Sequence, residues 1–273
     1  MTLAEILVPL SGAATDTAAL DTAFAIAAPF GAHVTALFSA KDARDAVLAE
    51  DLHETVPVRG ARIAGAREQA RLALTSAARK ADAVLRTTAE KCGTLSACYR
   101  ETPGQPADVL AEAAMFADLV VFASDAAEGA LRQAFIRLLT ESEKPVLLAG
   151  RAAPAPARIA IAWDGSLPAA RALTASLALL EKTKDVDLLC VGEPTGIAAA
   201  DAIGYLALHG VTARLRPLEQ ASVPIGVTLL AAAKDADLLV LGAYGHNRLV
   251  ERIFGGTTAH ILAHAGMPLL LAH

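Results

Sequence analysis

The sequence is poor in aromatic residues and in cysteine. Aromatic side chains make up 4% of the 273 residues and are scattered along the chain. They are too few to build a stacking surface for single-stranded nucleic acid. The three cysteines, Cys92, Cys98 and Cys190, form no CxxC pair and cannot all pair with one another. This usage is typical of a reducing compartment, and the simplest interpretation is that the cysteines are small buried side chains.

Basic blocks and long apolar runs are also missing. The formal net charge is -5 and no cluster of Lys and Arg occurs, which argues against a strongly basic nucleic-acid binder. No run of 18 apolar residues is present, so no membrane span is expected. The first residues, MTLAEILVPLSG, lack the basic start and the apolar length of a signal peptide. We therefore predict a cytoplasmic protein that binds neither nucleic acid nor membrane.

Small aliphatic residues are abundant, and they are arranged as an internal repeat. Hydrophobic residues make up 54% of the chain, mostly Ala, Leu and Val, which suits Ala-rich helices packed on aliphatic strands. Three apolar segments recur in the same order, and each has the pattern of a buried strand. The pairs are EILVPLSG (5–12) with RIAIAWDG (158–165), FADLVVFAS (116–124) with DADLLVLGA (235–243), and KPVLLAG (144–150) with MPLLLAH (267–273).

The second copy alternates strands with helices. A helix is predicted over Leu167–Leu180, with Ser166 as N-cap and Pro168 in its first turn. The segment 211–219 contains Pro217, which favours a strand near a sheet edge. Further strands are predicted at 186–194, 237–242 and 267–272, and further helices at 198–210, 223–237 and 257–266. This order predicts a five-stranded parallel sheet with right-handed crossovers.

The first copy has the same order with an insertion. A polar stretch from Lys41 to about Arg59 is followed by a long Ala-rich helix with apolar residues at three- and four-residue steps. The segment AGRAAPAPAR (149–158) contains two prolines and marks a linker. We therefore predict one α/β domain over 1–150, with an insertion near 41–90, and a second over 156–273.

A glycine-rich loop follows the fourth strand of the second copy. Gly242 and Gly245 come first, and Gly255 and Gly256 then open a helix that continues with Thr257–Thr258. Glycine allows close approach of a ligand, and the amino end of a helix favours phosphate. The loop also lies at the carboxyl end of a parallel strand, where open α/β sheets bind ligands. Taken alone, Gly242 and Gly245 could be turn residues, and Gly255 and Gly256 could permit tight packing of a helix against a strand.

The spacing Gly-x2-Gly-x9-Gly resembles the ATP-binding signature of universal stress proteins, and the strand order resembles their Rossmann-like (adenine nucleotide alpha hydrolase-like) fold. The resemblance implies that Asp164 lies near the adenosine and that Val191 faces the adenine. It also implies that the glycine loop holds the triphosphate, and His246, Thr257 and Thr258 would offer further donors. The nucleotide-binding set implied in this way is Asp164, Val191, Gly242, Gly245, His246, Gly255, Gly256, Thr257 and Thr258.

The loop departs from the family pattern at one position, because Gly256 stands where the family usually has Ser or Thr. Thr257 and Thr258 are close enough in the chain to offer a hydroxyl, and Gly256 still has a backbone N–H. A β-branched residue in place of Gly242 or Gly255 is expected to abolish nucleotide binding and leave the fold intact.

The first copy lacks the features of this loop. Ser11 stands where Asp164 stands, Ala123 and Ala126 replace the first glycine pair, and no Gly-Gly opens the last helix. We predict that this half is a degenerate copy that binds no ATP through the loop.

The resemblance implies a stress-response protein that binds ATP or a related adenine nucleotide in its second half as a regulatory ligand. A triphosphate site commonly needs a cation, and whether Mg²⁺ accompanies the nucleotide is left open. An interaction scaffold without nucleotide and a slow ATPase are the alternatives. No catalytic residue is assigned, and His260 with His264 lacks a third ligand for a metal site. The two halves are expected to pack as a pseudo-dimer through their last strands, and a homodimer of chains is left open.

Overall fold

The computed structural model describes residues 2–40, 59–92, 96–142, 144–150, 155–220, 222–243 and 256–273. Its strands are β1 (Glu5–Leu10), β2 (His33–Ala40), β3 (Ala97–Pro103), β4 (Leu119–Phe122), β5 (Val146–Leu148), β6 (Arg158–Ala162), β7 (Asp185–Val191), β8 (Ala213–Leu218), β9 (Leu238–Gly242) and β10 (Leu269–Ala272). Its α-helices are α1 (Asp16–Ala27), α2 (Arg59–Cys92), α3 (Pro106–Ala114), α4 (Arg132–Glu141), α5 (Leu167–Leu180), α6 (Ala199–Leu208), α7 (Ile225–Ala232) and α8 (Gly256–His264).

The strands form one sheet of ten in the order β3-β2-β1-β4-β5-β10-β9-β6-β7-β8. Strands pair in parallel within the first five and within the last five. The two groups meet at an antiparallel pair, in which Leu269 of β10 lies opposite Leu148 of β5. The predicted α/β fold with a parallel sheet is confirmed, and the expected contact between the two last strands is present. The domain limits 1–150 and 156–273 stay a prediction.

Helices cover both faces of the sheet. One apolar cluster packs under α1, α2, α5 and α6, and another packs under α3, α4, α7 and α8. The central strands are aliphatic and almost completely buried, as β4 and β10 illustrate. Burial on both faces explains why these strands read as continuous apolar runs without alternation. No helix in the described part of the chain is both long and apolar enough to cross a membrane.

Several helix and strand ends lie where the sequence predicts them. Helix α5 begins after Ser166, whose Oγ accepts a hydrogen bond from Ala169 N at 3.3 Å. Strand β8 lies at the sheet edge, as Pro217 indicates. Helix α2 extends the predicted Ala-rich helix to Cys92. The polar stretch 41–58 lies outside the described residues.

The recurring aspartate before β4 and β9 has the same role in both halves. The Asp118 carboxylate accepts hydrogen bonds from Ala4 N and Glu5 N at 2.8 and 3.0 Å. The Asp237 carboxylate accepts bonds from Ala157 N and Arg158 N at 2.9 and 2.8 Å. Each aspartate thereby ties the start of its half's fourth strand to the start of the first. Helix α7 ends at residue 232, although the sequence predicts a helix to 237. The residues between α7 and β9 form a turn, and the Asp237 carboxylate that follows it binds the start of β6.

Candidate functional site

The candidate site lies at the carboxyl ends of β6 and β9, which are neighbours in the sheet, with Ile161 opposite Val240. The chain leaves β6 toward β7 on one side and later enters β9 on the other. Such a switch point leaves a crevice between two diverging connections, where open α/β sheets bind ligands. Helix α8 joins the parallel strands β9 and β10, so its amino end lies at the same edge of the sheet.

The turn after β6 places Asp164 at this edge. Asp164 is exposed, and its Oδ1 accepts a hydrogen bond from Ser166 N at 2.9 Å. Gly165 has φ +78°, a conformation that side-chain-bearing residues rarely adopt. Val191, the last residue of β7, is partly buried on the adjacent strand. The structure thus brings the first two predicted site residues to the ends of neighbouring strands.

The segment after β7 packs directly on this turn. Thr195 N donates to Asp164 O and Ile197 N donates to Gly165 O, both at 3.0 Å. A Cβ on Gly165 would lie 2.7 Å from Ile197 O, and one on Gly196 would lie 2.3 Å from Gly165 O. Both glycines are therefore required by the close approach of two backbones. Gly196 could not be identified from the sequence, because its neighbours in the chain do not indicate a contact with the distant turn at Gly165.

Trp163 also stabilises the contact between the turn at Gly165 and the segment after β7. Its indole is buried, and Nε1 donates a hydrogen bond to Ile197 O at 3.1 Å. Together with the backbone bonds of Thr195 and Ile197, this bond holds the Asp164 backbone in place. The Asp164 carboxylate therefore projects from a rigid turn.

Gly242 has a packing role that the sequence does not indicate. A Cβ at this position would lie 2.5 Å from both Pro168 C and Ala169 N, in the first turn of α5. These are backbone atoms, so they cannot move aside without shifting the helix. The expectation that Gly242→Val leaves the fold intact is therefore wrong. Ligand contact by Gly242 stays a prediction.

The amino end of α8 supplies the remaining described part of the site. Gly256 is its first helical residue and is exposed, Thr257 is partly buried and Thr258 is buried. Apart from the neighbouring residues in the chain and the backbone of α8 itself, the described residues place no atom within 4 Å of the position that a Cβ on Gly256 would take. The first N–H groups of a helix have no partner within the helix and carry partial positive charge. The predicted residues Gly245, His246 and Gly255 lie outside the described part.

In the first half, the side chain of Asp16 binds the N–H groups of the corresponding turn. Asp16 is buried, and its carboxylate accepts hydrogen bonds from Ser11 N at 3.1 Å, Ser11 Oγ at 3.0 Å and Gly12 N at 2.7 Å. Burial raises the pKa of the Asp16 carboxyl above its usual value, although these hydrogen bonds act in the opposite direction. Ala169 occupies the corresponding place in the second half. This role of Asp16 is not evident from the sequence.

Helix α2 and the segment after β4 close this edge of the first half further. A Cβ on Gly12 would lie 2.6 Å from Ala77 Cβ, so α2 packs directly on the turn. Ala123 and Ala126 are both buried, and Thr15 Oγ1 donates to Asp125 Oδ2 at 3.2 Å. Helix α1 begins at Asp16, four residues after Gly12, whereas α5 begins two residues after Gly165.

His260 packs α8 on α7, and its ring stacks on that of His264, which is exposed. The two ring centroids lie 4.3 Å apart, and the His264 Nδ1 lies 2.9 Å from His260 O. A Cβ on Gly226 of α7 would lie 3.0 Å from His260 Cδ2. Within the described residues, no group of three or more metal-ligating side chains is present.

Comparisons with known proteins find similarity to one protein family and to solved structures. Residues 205–273 match the model of the universal stress protein family. A universal stress protein from Archaeoglobus fulgidus DSM 4304 is similar in structure, with a TM-score of 0.65 and 17% identity over 98% of this chain and 95% of that chain. A functionally unknown protein from Pseudomonas aeruginosa PAO1 has a TM-score of 0.59 and 18% identity over 99% of this chain and 92% of that chain. None of the curated proteins matches the sequence.

The family match and the structural likeness agree. Residues 205–273 match the universal stress protein family, and the α/β fold is shared with a universal stress protein over both halves. The resemblance that the glycine spacing indicates is thereby confirmed, and the ten-stranded sheet is consistent with a tandem of two such units.

Proposed function

We propose that this chain is a stress-response protein that binds ATP or a related adenine nucleotide in its second half as a regulatory ligand. The observation that carries the proposal is the contrast between the two carboxyl edges. In the second half, the described residues leave the position beside Gly256 at the start of α8 open. In the first half, the Asp16 carboxylate takes up the N–H groups of Ser11 and Gly12.

The phosphates would bind at the amino end of α8. The N–H groups of Gly256, Thr257 and Thr258 belong to the first turn, where a helix leaves its donors unpaired. Such donors and the helix dipole favour an anionic group. Because a backbone N–H needs no side chain, Gly256 in place of Ser or Thr removes one hydroxyl and keeps the donor. Gly245, His246 and Gly255 are proposed to complete the loop, and Mg²⁺ would accompany a triphosphate.

The adenosine would bind along the neighbouring strand ends. Asp164 projects from a turn that is fixed by the bonds of Thr195 and Ile197, so its carboxylate is positioned in advance for a ribose or base donor. Val191 ends the adjacent strand β7 and offers an apolar contact for the base. Gly242 keeps α5 close to the end of β9, next to this edge.

Nucleotide titration of matched variants tests this assignment. Asp164→Ala should weaken ATP binding by about 1–3 kcal/mol, because it removes a charge-assisted hydrogen bond. Ser11→Ala, the corresponding change in the first half, should leave the affinity unchanged. Both are measured by calorimetry with Mg²⁺, alongside thermal melts that check the fold. Equal losses in the two variants, or no binding by the unmodified chain at millimolar nucleotide, would favour the interaction scaffold.

Three parts of the sequence-based description remain proposals of the same kind. The limits of the two domains, the cytoplasmic location and a homodimer of chains each need their own measurement. Slow hydrolysis of ATP is not part of the proposed function, and a phosphate-release assay on the purified chain would detect it.

A further inference from the structure

A second group of polar side chains lies at the amino ends of β1, β2 and β3, in the half of the chain that does not carry the candidate nucleotide site. Glu5 pairs with His33 in the register of β1 and β2, and Thr35 pairs with Cys98 in the register of β2 and β3. Paired residues on adjacent strands point to the same face, and so do residues two apart on one strand. The four side chains are therefore neighbours on one face.

His33 connects a thiol to a hydroxyl. Its Nε2 lies 3.4 Å from Cys98 Sγ, and its Nδ1 lies 2.6 Å from Ser96 Oγ. When Nδ1–H donates to the Ser96 hydroxyl, Nε2 is the acceptor and faces the thiol. A nucleophile next to a base, with the base held by a third group, is the arrangement by which proteins activate weak nucleophiles.

Thr35 and Glu5 complete the surroundings of the sulfur. Thr35 Oγ1 donates to Glu5 Oε1 at 2.5 Å and lies 3.6 Å from Cys98 Sγ. Because the Thr35 proton is directed to Glu5, its oxygen can only accept from the thiol. Thr35 is buried, whereas His33 and Cys98 are partly exposed. Cys98 is therefore not enclosed in the core, and the expectation that the cysteines are buried does not hold for it.

The second half has different chemistry at the same four places. Arg158 pairs with Asp185, and Asp187 pairs with Arg214, in the corresponding registers. Arg158 Nε lies 2.8 Å from Asp185 Oδ2, and Arg214 lies 2.8 Å from Asp187 Oδ1. Here the strand ends are joined by ion pairs, with opposite charges on paired residues. The first half has the thiol of Cys98 and the imidazole of His33 at two of these places instead.

Cys190 provides an internal reference for an unreactive thiol. It is buried, and its Sγ donates to Gly192 O at 3.4 Å. Burial raises the pKa of the Cys190 thiol, and the nearby carboxylates of Glu193 and Asp164 act in the same direction. A thiol of this kind reacts slowly with electrophiles.

We propose that Cys98 is a nucleophilic thiol, activated by His33, that reacts with soft electrophiles and with hydrogen peroxide. His33 Nε2 takes the thiol proton as the sulfur attacks. With peroxide, the sulfur forms an S–O bond as the O–O bond breaks, and the proton on His33 passes to the departing hydroxide to give water. Sulfur is oxidised by two electrons to a sulfenic acid, and peroxide is reduced.

The test compares alkylation rates in the full-length chain. Cys92 and Cys98 share one tryptic peptide, residues 92–100, so the measurement uses a Cys92→Ser background. With limiting iodoacetamide and mass spectrometry, Cys98 should react about tenfold or more faster than Cys190 and faster than Cys98 in the chain unfolded by urea. With peroxide, dimedone should label Cys98 and not Cys190. A Cys98 rate no greater than in urea, or no dimedone label, would overturn the proposal.

Changes at His33 separate base catalysis from a structural effect. His33→Ala should slow alkylation of Cys98 about tenfold or more, since it removes the proton acceptor, and added imidazole should restore part of the rate. His209→Ala, a change on an exposed helix end in the other half, should leave the rate unchanged. A His33→Ala chain that melts normally and still alkylates at the original rate would contradict the role of His33. So would a loss of rate that imidazole fails to restore.

Discussion

The two carboxyl edges of the sheet show how a repeated domain can keep its fold and change its site. Both halves use the same strand order and the same aspartate clamp, Asp118 in one and Asp237 in the other. At the carboxyl edge they differ, because the first half fills its turn with Asp16 and the second packs a loop on Gly165. The fold depends on the buried strands and on the hydrogen bonds of these aspartates. A ligand site depends on a few positions, and side chains can occupy those positions without disturbing the fold.

The largest expected effect concerns Gly242. Gly242→Ala should lower the free energy of unfolding by about 2–3 kcal/mol, because the new methyl overlaps backbone atoms of Pro168 and Ala169. The reciprocal change, Ala123→Gly, should cost only about 1 kcal/mol, through the lost methyl and the added backbone freedom. Urea denaturation of both variants checks the pair. Equal and small losses would contradict the packing role of Gly242.

A change at Gly256 separates binding from stability. Gly256→Asp should keep or raise the melting temperature, since a carboxylate stabilises the amino end of a helix and the described residues leave room for a side chain. The same carboxylate should weaken ATP binding about tenfold or more, because it repels the phosphates at the site proposed for them. Calorimetry and thermal melts are the measurements. An ATP affinity that does not change would place the phosphates elsewhere.

A smaller effect concerns the pH dependence of stability in the first half. Burial raises the pKa of Asp16 in the folded chain above its value in the unfolded chain. The folded state therefore holds this proton more tightly, and the stability it contributes is present at low pH and lost as pH rises through the folded pKa. The difference in unfolding free energy between the natural chain and Asp16→Asn should decrease as pH rises from about 4 to 7. A difference that increases over this range would contradict the sign.

Much of the fold could be predicted because its signals are local. The aliphatic strands, Ser166 at the start of α5 and Pro217 on an edge strand each follow from neighbouring residues in the chain. Parallel pairing followed from the alternation of strands and helices. The contact between the two last strands was expected from the resemblance to universal stress proteins and not from the residues alone.

The parts of the site that depend on distant contacts could not be predicted in this way. Gly242 was identified as a ligand-loop residue, and its contact with Pro168 became visible only when both elements were placed in space. The same holds for Gly196 against Gly165, and for Asp16, whose helical position gives no sign that it caps a turn. The thiol–imidazole pair of Cys98 and His33 joins residues far apart in sequence through strand register.

The number of nucleotides bound per chain tests the central contrast most directly. Native mass spectrometry of the purified chain, titrated with ATP and Mg²⁺, counts bound molecules without assuming where they lie. One adenine nucleotide per chain is expected. Gly256→Asp should raise the ATP concentration needed to fill this site about tenfold or more, whereas Ser11→Ala should leave it unchanged. Two equivalent nucleotides per chain, or an occupancy that Gly256→Asp does not change, would contradict the assignment of the site to the second half.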